Sequence, residues 1–143
     1  MSRRRTSWKD GPRRDVETVS VLIVDDQPPF RRAAAAVVKV TGGFDVVGEA
    51  GSGEEAVELV DAVRPQLVLM DINMGGISGI EATRQITGAH TDVVVVLLST
   101  YQADDLPADA GTSGAVAYVN KEDFGPQVLK DVWAKRADGQ LAM

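Results

Sequence analysis

Short apolar runs alternate with segments of helical periodicity from residue 19 onward. The runs are rich in β-branched and aliphatic residues, which predicts buried strands over residues 19–24, 44–49, 67–70, 93–98 and 115–119. Between the second and third runs, apolar residues recur at the spacing of one helix face, at Ala56, Leu59, Val60 and Val63. The chain therefore predicts an alternation of strands and helices.

Proline and glycine mark the limits of the predicted helices. Pro28 and Pro29 fit the first turn of a helix that continues to Val40. Further helices are predicted from Ser52 to Pro65 and over residues 79–87, and a last one carries the apolar stripe Val128, Leu129, Val132 and Trp133. The segment 102–112 contains a proline and many small residues, so only a short fourth helix is expected there.

This alternation indicates an α/β fold. Five apolar strands separated by helices imply right-handed βαβ units and a doubly wound five-stranded parallel sheet with helices on both faces. In such folds, ligands bind outside the carboxyl ends of the strands. The residues that follow each strand are therefore the first candidates for chemistry.

Composition and charge fit one globular domain with a basic arm. The 143 residues carry a net charge of −6, yet residues 1–14 hold six basic residues and one acidic residue. We expect an arm without regular structure (1–17), a domain (18–137) and a short tail (138–143). The chain has no cysteine, which excludes disulfides and thiolate chemistry, and no apolar run approaches the length of a membrane span.

Charged and hydroxyl side chains follow the predicted strands. Asp25 and Asp26 end the first strand, and Glu49 ends the second. Asp71, Ser99 and Lys121 follow the third, fourth and fifth strands. If the first and third strands are neighbours, three carboxylates converge and repel one another, and a hard cation such as Mg²⁺ relieves that repulsion. With a lysine and a hydroxyl beside them, such a site suits a phosphoryl group.

Each of these residues also has a structural interpretation. Asp25 or Asp26 could cap the first helix, and Asp71 could be a turn residue before the glycines that follow it. Ser99 could be a strand-end hydroxyl without further role. Their joint occurrence at the strand ends favours the phosphoryl site.

Four segments resemble the signature segments of bacterial response-regulator receiver domains of the NarL/LuxR type: VLIVDDQPPFR, LVLMDINMGGISGIEATR, VVVVLLSTY and AVAYVNKEDF. The resemblance extends over residues 19–133 and implies the strand order 2-1-3-4-5. It also implies that Asp71 is the phosphoacceptor. Asp26 would ligate Mg²⁺ directly, Asp25 largely through water, and Asn73 through its backbone carbonyl.

The resemblance further implies a conformational switch. Ser99 would reach for the phosphoryl group, Lys121 would pair with it, and the Tyr118 rotamer would report the state to the face formed by the fourth helix, the fifth strand and the fifth helix. Asn73 and Tyr101, two residues after Asp71 and Ser99 respectively, are expected to influence the lifetime of the phosphorylated form.

The same resemblance implies partners and a location. These are a cytoplasmic setting, a sensor histidine kinase or phosphotransfer protein as donor, an output protein, and a possible homodimer. No DNA-binding domain follows in this chain, so it is expected to be a stand-alone receiver or part of a longer regulator. Gly75 stands where such receivers usually carry proline, which leaves open a receiver-like interaction module that signals without phosphorylation.

Two other motifs suggest different chemistry. Residues 51–56 fit the G-x-G-x-x-G/A dinucleotide fingerprint, but Glu54 and Glu55 would face the pyrophosphate. The segment LMDINM is similar to haloacid-dehalogenase phosphatases, which need a second aspartate where this chain has Asn73.

His90 is expected to be a surface histidine.

Overall fold

In the computed structural model, the chain is described over residues 18–100 and 106–138. The predicted arm, residues 139–143 of the predicted tail, and Tyr101 lie outside these ranges. The strands are β1 Val19–Val24, β2 Phe44–Ala50, β3 Leu67–Asp71, β4 Val94–Ser99 and β5 Ala117–Asn120. The α-helices are α1 Pro28–Val40, α2 Gly53–Val63, α3 Gly79–Ala89 and α4 Pro126–Ala134.

The sheet confirms the predicted fold. All strand pairs are parallel and the order is β2-β1-β3-β4-β5. β1 therefore lies beside β3, and the carboxyl ends of the four strands β1, β3, β4 and β5 share one edge. β2 is an edge strand with a bulge opposite Val21 and Leu22.

Two apolar layers cover the sheet. One contains α2 and α3, with Val60, Ile80 and Ile86 packed on inward residues of β1, β3 and β4. The other contains α1 and α4, with Val38, Leu129 and Val132 on the opposite face. Alternate strand residues enter opposite layers because successive strand side chains point to opposite faces. Both faces are buried, as the continuous apolar strands predict.

The predicted fourth helix lies in a segment, 102–112, of which only residues 106–112 are described. These residues contain one 3₁₀ helix, Ala108–Thr112, and no α-helix, so the last α-helix of the described residues is α4. A 3₁₀ helix needs fewer residues than an α-helix, and the small side chains of this segment provide little apolar surface for a longer one. β5 begins at Ala117, two residues later than the apolar run suggests.

Candidate functional site

The strand ends bring the predicted polar residues together. Asp71 is the last residue of β3 and Ser99 the last of β4, while Asp25 and Lys121 directly follow β1 and β5. Because the strands are parallel and in register, all four positions lie at the same edge of the sheet. Three of them, Asp71, Ser99 and Lys121, line a cleft of about 230 Å³ together with Gln27, Asn73 and Thr100.

Two buried carboxylates share one lysine. The Lys121 Nζ lies 2.7 Å from Asp25 Oδ2 and 3.3 Å from Asp71 Oδ1. Asp25 is 1% exposed and Asp71 is 4% exposed. The Phe30 ring covers the ammonium from α1, with its centroid 4.4 Å from Nζ, which adds a cation–π contact. We call Asp25, Asp71 and Lys121 the site floor.

The pKa values of the floor reflect burial and mutual charge. Burial and, after it, the charge of Asp25 raise the pKa of Asp71 to about 6, although Lys121 opposes both effects. Burial alone would lower the pKa of Lys121, but the close contacts with the negatively charged Asp25 and Asp71 outweigh it and raise that pKa above its usual value. The floor therefore holds more negative charge than one lysine compensates.

The carboxylates fit a divalent cation. Oxygens of Asp25, Asp26 and Asp71 all lie within 4.8 Å of one another. Asp25 Oδ2 is buried and has no aligned hydrogen bond; its contact with Lys121 is an ion pair. Asp26 is exposed, so solvent reaches the cluster on that side. Mg²⁺ prefers carboxylate oxygens and retains several waters, so these residues suit it.

Neither aspartate after β1 caps the first helix through its side chain. The N-cap of α1 is Gln27, which makes no side-chain cap hydrogen bond. Asp25 Oδ1 instead accepts a hydrogen bond from the Gln27 amide at 2.8 Å, which fixes the carboxylate at the strand end. The capping interpretation of Asp25 and Asp26 is therefore wrong.

Arg31 helps to hold Asp25 in the site, and the pattern of polar residues after the strands does not predict this. Its Nη1 donates to the Asp25 backbone carbonyl at 2.6 Å, and its Nε lies 3.3 Å from Glu49 Oε1. Glu49, expected at the end of the second strand, is the last residue but one of β2; it pairs with Arg31 and does not belong to the carboxylate cluster. The position of Arg31 in the second turn of α1 is the only sequence signal for this contact.

The β3–α3 loop (residues 72–78) forms the exposed side of the cleft. Asn73, Gly75 and Gly76 are exposed there, and Gly76 has φ +80°, a conformation that favours glycine. The Ile77 amide donates to Glu54 Oε2 at 3.1 Å, which joins the loop to the N-terminus of α2. The Gly79 amide donates to the Ile72 carbonyl at 2.8 Å, where α3 begins.

Ser99 and Tyr118 are connected directly. The Tyr118 hydroxyl donates to the backbone carbonyl of Ser99 at 3.2 Å. Both residues are buried, with exposures of 1% for Ser99 and 5% for Tyr118. The hydroxyl residue at the cleft and the aromatic residue of β5 are thus neighbours in the structure.

In the segment that resembles a dinucleotide fingerprint, residues 51–56, side chains of the segment bind its own backbone amides. Ser52 caps α2 by accepting from the Glu55 amide at 3.1 Å, and Glu55 Oε1 accepts from the Gly51 amide at 2.8 Å. With Glu54 on the Ile77 amide, both acidic side chains of the motif accept hydrogen bonds from backbone amides. The motif is a helix-capping arrangement.

His90 is less exposed than its polar surroundings suggest. Its side chain is 12% exposed and its Nε2 lies 2.6 Å from Asp61 Oδ1, so it joins the end of α3 to α2. His90 is therefore partly covered and paired with an exposed aspartate, so the expectation of a surface histidine holds only in part. Within the part of the chain that the structure describes, no helix is long and apolar enough to cross a membrane.

Known proteins resemble this chain in sequence and in fold. The family model described as the response regulator receiver domain matches residues 21–133. The chain is 39% identical over 114 residues to the response regulator UvrY of Escherichia coli O6:H1, covering 80% of this chain and 52% of that protein. It is 37% identical over 103 residues to the response regulator GacA of Pseudomonas viridiflava, covering 72% of this chain and 48% of that protein.

Solved structures of response regulators have a fold similar to that of this chain. A two-component response regulator of the LuxR family from Aurantimonas sp. SI85-9A1 superposes with a TM-score of 0.78 at 30% identity, covering 88% of this chain and 89% of that one. The receiver domain of NarL from Mycobacterium tuberculosis gives a TM-score of 0.77 at 28% identity, covering 84% and 97%. The chain spans about half the length of the curated relatives it matches. By family match, relatives and fold, it belongs to the response regulator receiver domains of two-component systems.

Proposed function

We propose that the chain is a phosphorylation-dependent switch, with Asp71 as the acceptor of a phosphoryl group from a phosphohistidine. The donor would be a sensor histidine kinase or a phosphotransfer protein in the cytoplasm. One observation supports this most strongly. Asp71 ends the central strand of the sheet, and the Lys121 ammonium contacts both the Asp71 carboxylate and the second buried carboxylate, that of Asp25. Such a site can accept a further anionic group only with its charges compensated.

The transfer follows from this arrangement. An Asp71 carboxylate oxygen attacks the phosphorus of phosphohistidine, the N–P bond breaks, and the imidazole leaves with its electron pair and takes up a proton. Lys121, already 3.3 Å from Asp71 Oδ1, pairs with the transferred phosphoryl oxygens. Attack of water on phosphorus later releases phosphate and restores the carboxylate. Uptake and loss are self-catalysed, and the chain acts on no separate substrate.

Mg²⁺ is the cofactor that this set of residues would hold. Asp26 and Asp71 would provide carboxylate ligands, Asp25 would act largely through water, and Asn73 would provide its backbone carbonyl. When bound, the cation neutralises charge on the carboxylates and on the phosphoryl oxygens. The buried Asp25 Oδ2, without an aligned hydrogen bond, is consistent with such a role.

The switch would use the Ser99–Tyr118 contact. If the Ser99 hydroxyl turns toward the phosphoryl group, the carbonyl that Tyr118 binds changes its environment. Tyr118 would transmit this change to the face formed by the 3₁₀ helix, β5 and α4, where an output protein or a second copy of the chain would bind. A local contact thereby biases a wider two-state equilibrium.

Intact mass after incubation with acetyl phosphate and Mg²⁺ tests the proposal. We expect a metal-dependent gain of one phosphoryl group in the wild type and none in Asp71→Asn. Asp92→Asn, an exposed aspartate in the turn before β4, serves as the matched control and should behave as the wild type. No gain in the wild type with acetyl phosphate or a cognate kinase, and no bound Mg²⁺, would favour an interaction module that works without phosphorylation.

A further inference from the structure

The β3–α3 loop poses a positioning problem. It must present Asn73 beside Asp71, yet it contains two adjacent glycines, which are the residues with the greatest backbone freedom. A Cβ built on Gly75 would meet nothing within 4 Å, so packing does not restrain the loop at this point. Something outside the glycines has to limit the conformations of the loop.

Glu54 provides a restraint from α2. Its Oε2 accepts a hydrogen bond from the Ile77 amide at 3.1 Å. Its carboxylate also lies against Gly76 so closely that a Cβ there would be 2.6 Å from Oε2. One side chain thus binds the residue after the glycine pair and packs against the second glycine.

The N-terminus of α2 is itself fixed against the same loop. A Cβ on Gly53 would lie 2.7 Å from Ile77 Cγ1, which shows how closely the helix approaches Ile77. Ser52 caps the helix and Glu55 binds the Gly51 amide, so the backbone that carries Glu54 is held by hydrogen bonds. Glu54 therefore extends from a rigid element onto a flexible one.

We propose that Glu54 is a positioning residue for the cation site: it holds the β3–α3 loop in the conformation that brings the Asn73 carbonyl to the cation bound by Asp26 and Asp71. This rests on the proposed function, because it assumes that the site binds Mg²⁺. Glu54 contacts neither the cation nor the phosphoryl group. Its carboxylate replaces, from a neighbouring helix, the stiffness that a proline at position 75 would give to the loop itself.

Two variants separate the hydrogen bond from the charge. Glu54→Gln loses the negative charge but keeps an oxygen that can accept from the Ile77 amide, whereas Glu54→Ala loses both. Glu58→Ala removes an exposed acid one turn further along α2 and is the matched control. Mg²⁺ titrations followed by amide chemical shifts give the Kd of each variant, and hydrogen exchange gives the protection of the Ile77 amide.

We expect Glu54→Ala to weaken Mg²⁺ binding by about three- to tenfold, the range of a single hydrogen bond, and to accelerate exchange at Ile77. Glu54→Gln and Glu58→Ala should remain within about twofold of the wild type, a difference smaller than one hydrogen bond. Gly75→Pro in the Glu54→Ala background should restore Mg²⁺ binding, because proline reduces the freedom of the loop without adding a charge.

Each contrary outcome has a definite meaning. Equal weakening in Glu54→Gln and Glu54→Ala would show that charge, not positioning, is responsible, and would overturn the inference. So would an unchanged Mg²⁺ affinity in Glu54→Ala, or a failure of Gly75→Pro to restore it. If the wild type itself binds no Mg²⁺, the proposed function fails, and the inference about the cation fails with it.

Discussion

The two sides of the cleft are built in different ways. The site floor consists of two buried carboxylates and a lysine that is 12% exposed, placed by the ends of three strands and joined by ion pairs of 2.7 and 3.3 Å. The β3–α3 loop is exposed, contains adjacent glycines and is held by the Glu54 carboxylate of a neighbouring helix. The floor is therefore fixed by sheet register, and the loop by a contact between elements. Changes to the floor should affect chemistry and stability, whereas changes to the loop should affect mainly affinity for the cation.

Replacing the lysine of the floor should have the largest effect. In Lys121→Gln, Asp25 and Asp71 remain buried without their compensating charge. We expect the rate of phosphoryl uptake from acetyl phosphate to fall about 100-fold, as for loss of a donor to a transition state. The free energy of unfolding at pH 7 without Mg²⁺ should fall by about 3 kcal/mol. Mass spectrometry and urea unfolding measure the two effects.

Lys130→Gln is the control for that substitution, since Lys130 is exposed on α4. It should leave both quantities unchanged. A Lys121→Gln protein that takes up phosphoryl groups at the wild-type rate would remove Lys121 from the mechanism and contradict the importance of the floor.

The raised pKa of Asp71 predicts a pH dependence of stability. Because its pKa is about 6 in the folded protein, against 3.8 for an unperturbed aspartate, the folded state binds this proton more tightly than the unfolded state. Its stabilising contribution is complete below pH 4 and is lost as the pH rises through 6. Without Mg²⁺, the free energy of unfolding of the wild type should fall relative to Asp71→Asn by up to about 3 kcal/mol between pH 4 and 7.

Urea unfolding of the two proteins at several pH values measures this difference. Saturating Mg²⁺ should reduce the loss, because the cation favours the ionised carboxylate. Parallel pH profiles for the wild type and Asp71→Asn would show that Asp71 does not carry the excess charge of the floor.

A smaller effect is expected from the hydroxyl at the cleft. Ser99→Ala retains the backbone carbonyl that Tyr118 binds but removes the group proposed to reach the phosphoryl oxygens. The difference in Tyr118 ring signals between phosphorylated and unphosphorylated protein should shrink, while uptake should fall by less than about tenfold, the cost of one neutral hydrogen bond. Ser99→Thr keeps a hydroxyl and should preserve the difference. NMR spectra in which Ser99→Ala and the wild type respond equally would contradict the proposed switch.

The same contrast explains what the sequence alone could predict. Apolar runs in the sequence indicate the strands. Parallel pairing then places Asp25, Asp71, Ser99 and Lys121 together at the carboxyl ends of the strands. The family resemblance supplied the strand order, and the observed sheet confirms it. The residues of the floor could therefore be located from the sequence.

Contacts between helices and loops could not be predicted in this way. Periodicity shows which face of α2 is apolar, but not that Glu54 reaches the Ile77 amide or that Asp61 meets His90. These contacts depend on the angle and distance at which α2 packs against its neighbours, and small changes in either separate the atoms. Arg31 is a similar case, because one of its partners, Asp25, follows β1 and the other, Glu49, lies in β2.

The place of Lys121 in the strand order has a mechanical consequence. β5 is an edge strand, and β4 and β3 separate it from β1, yet Lys121, which follows β5, contacts the carboxylate that follows β1. The Lys121 side chain thus connects an edge strand with the interior of the sheet. A change of charge at Asp71 therefore changes the electrostatic force on Lys121, the residue that directly follows the strand carrying Tyr118.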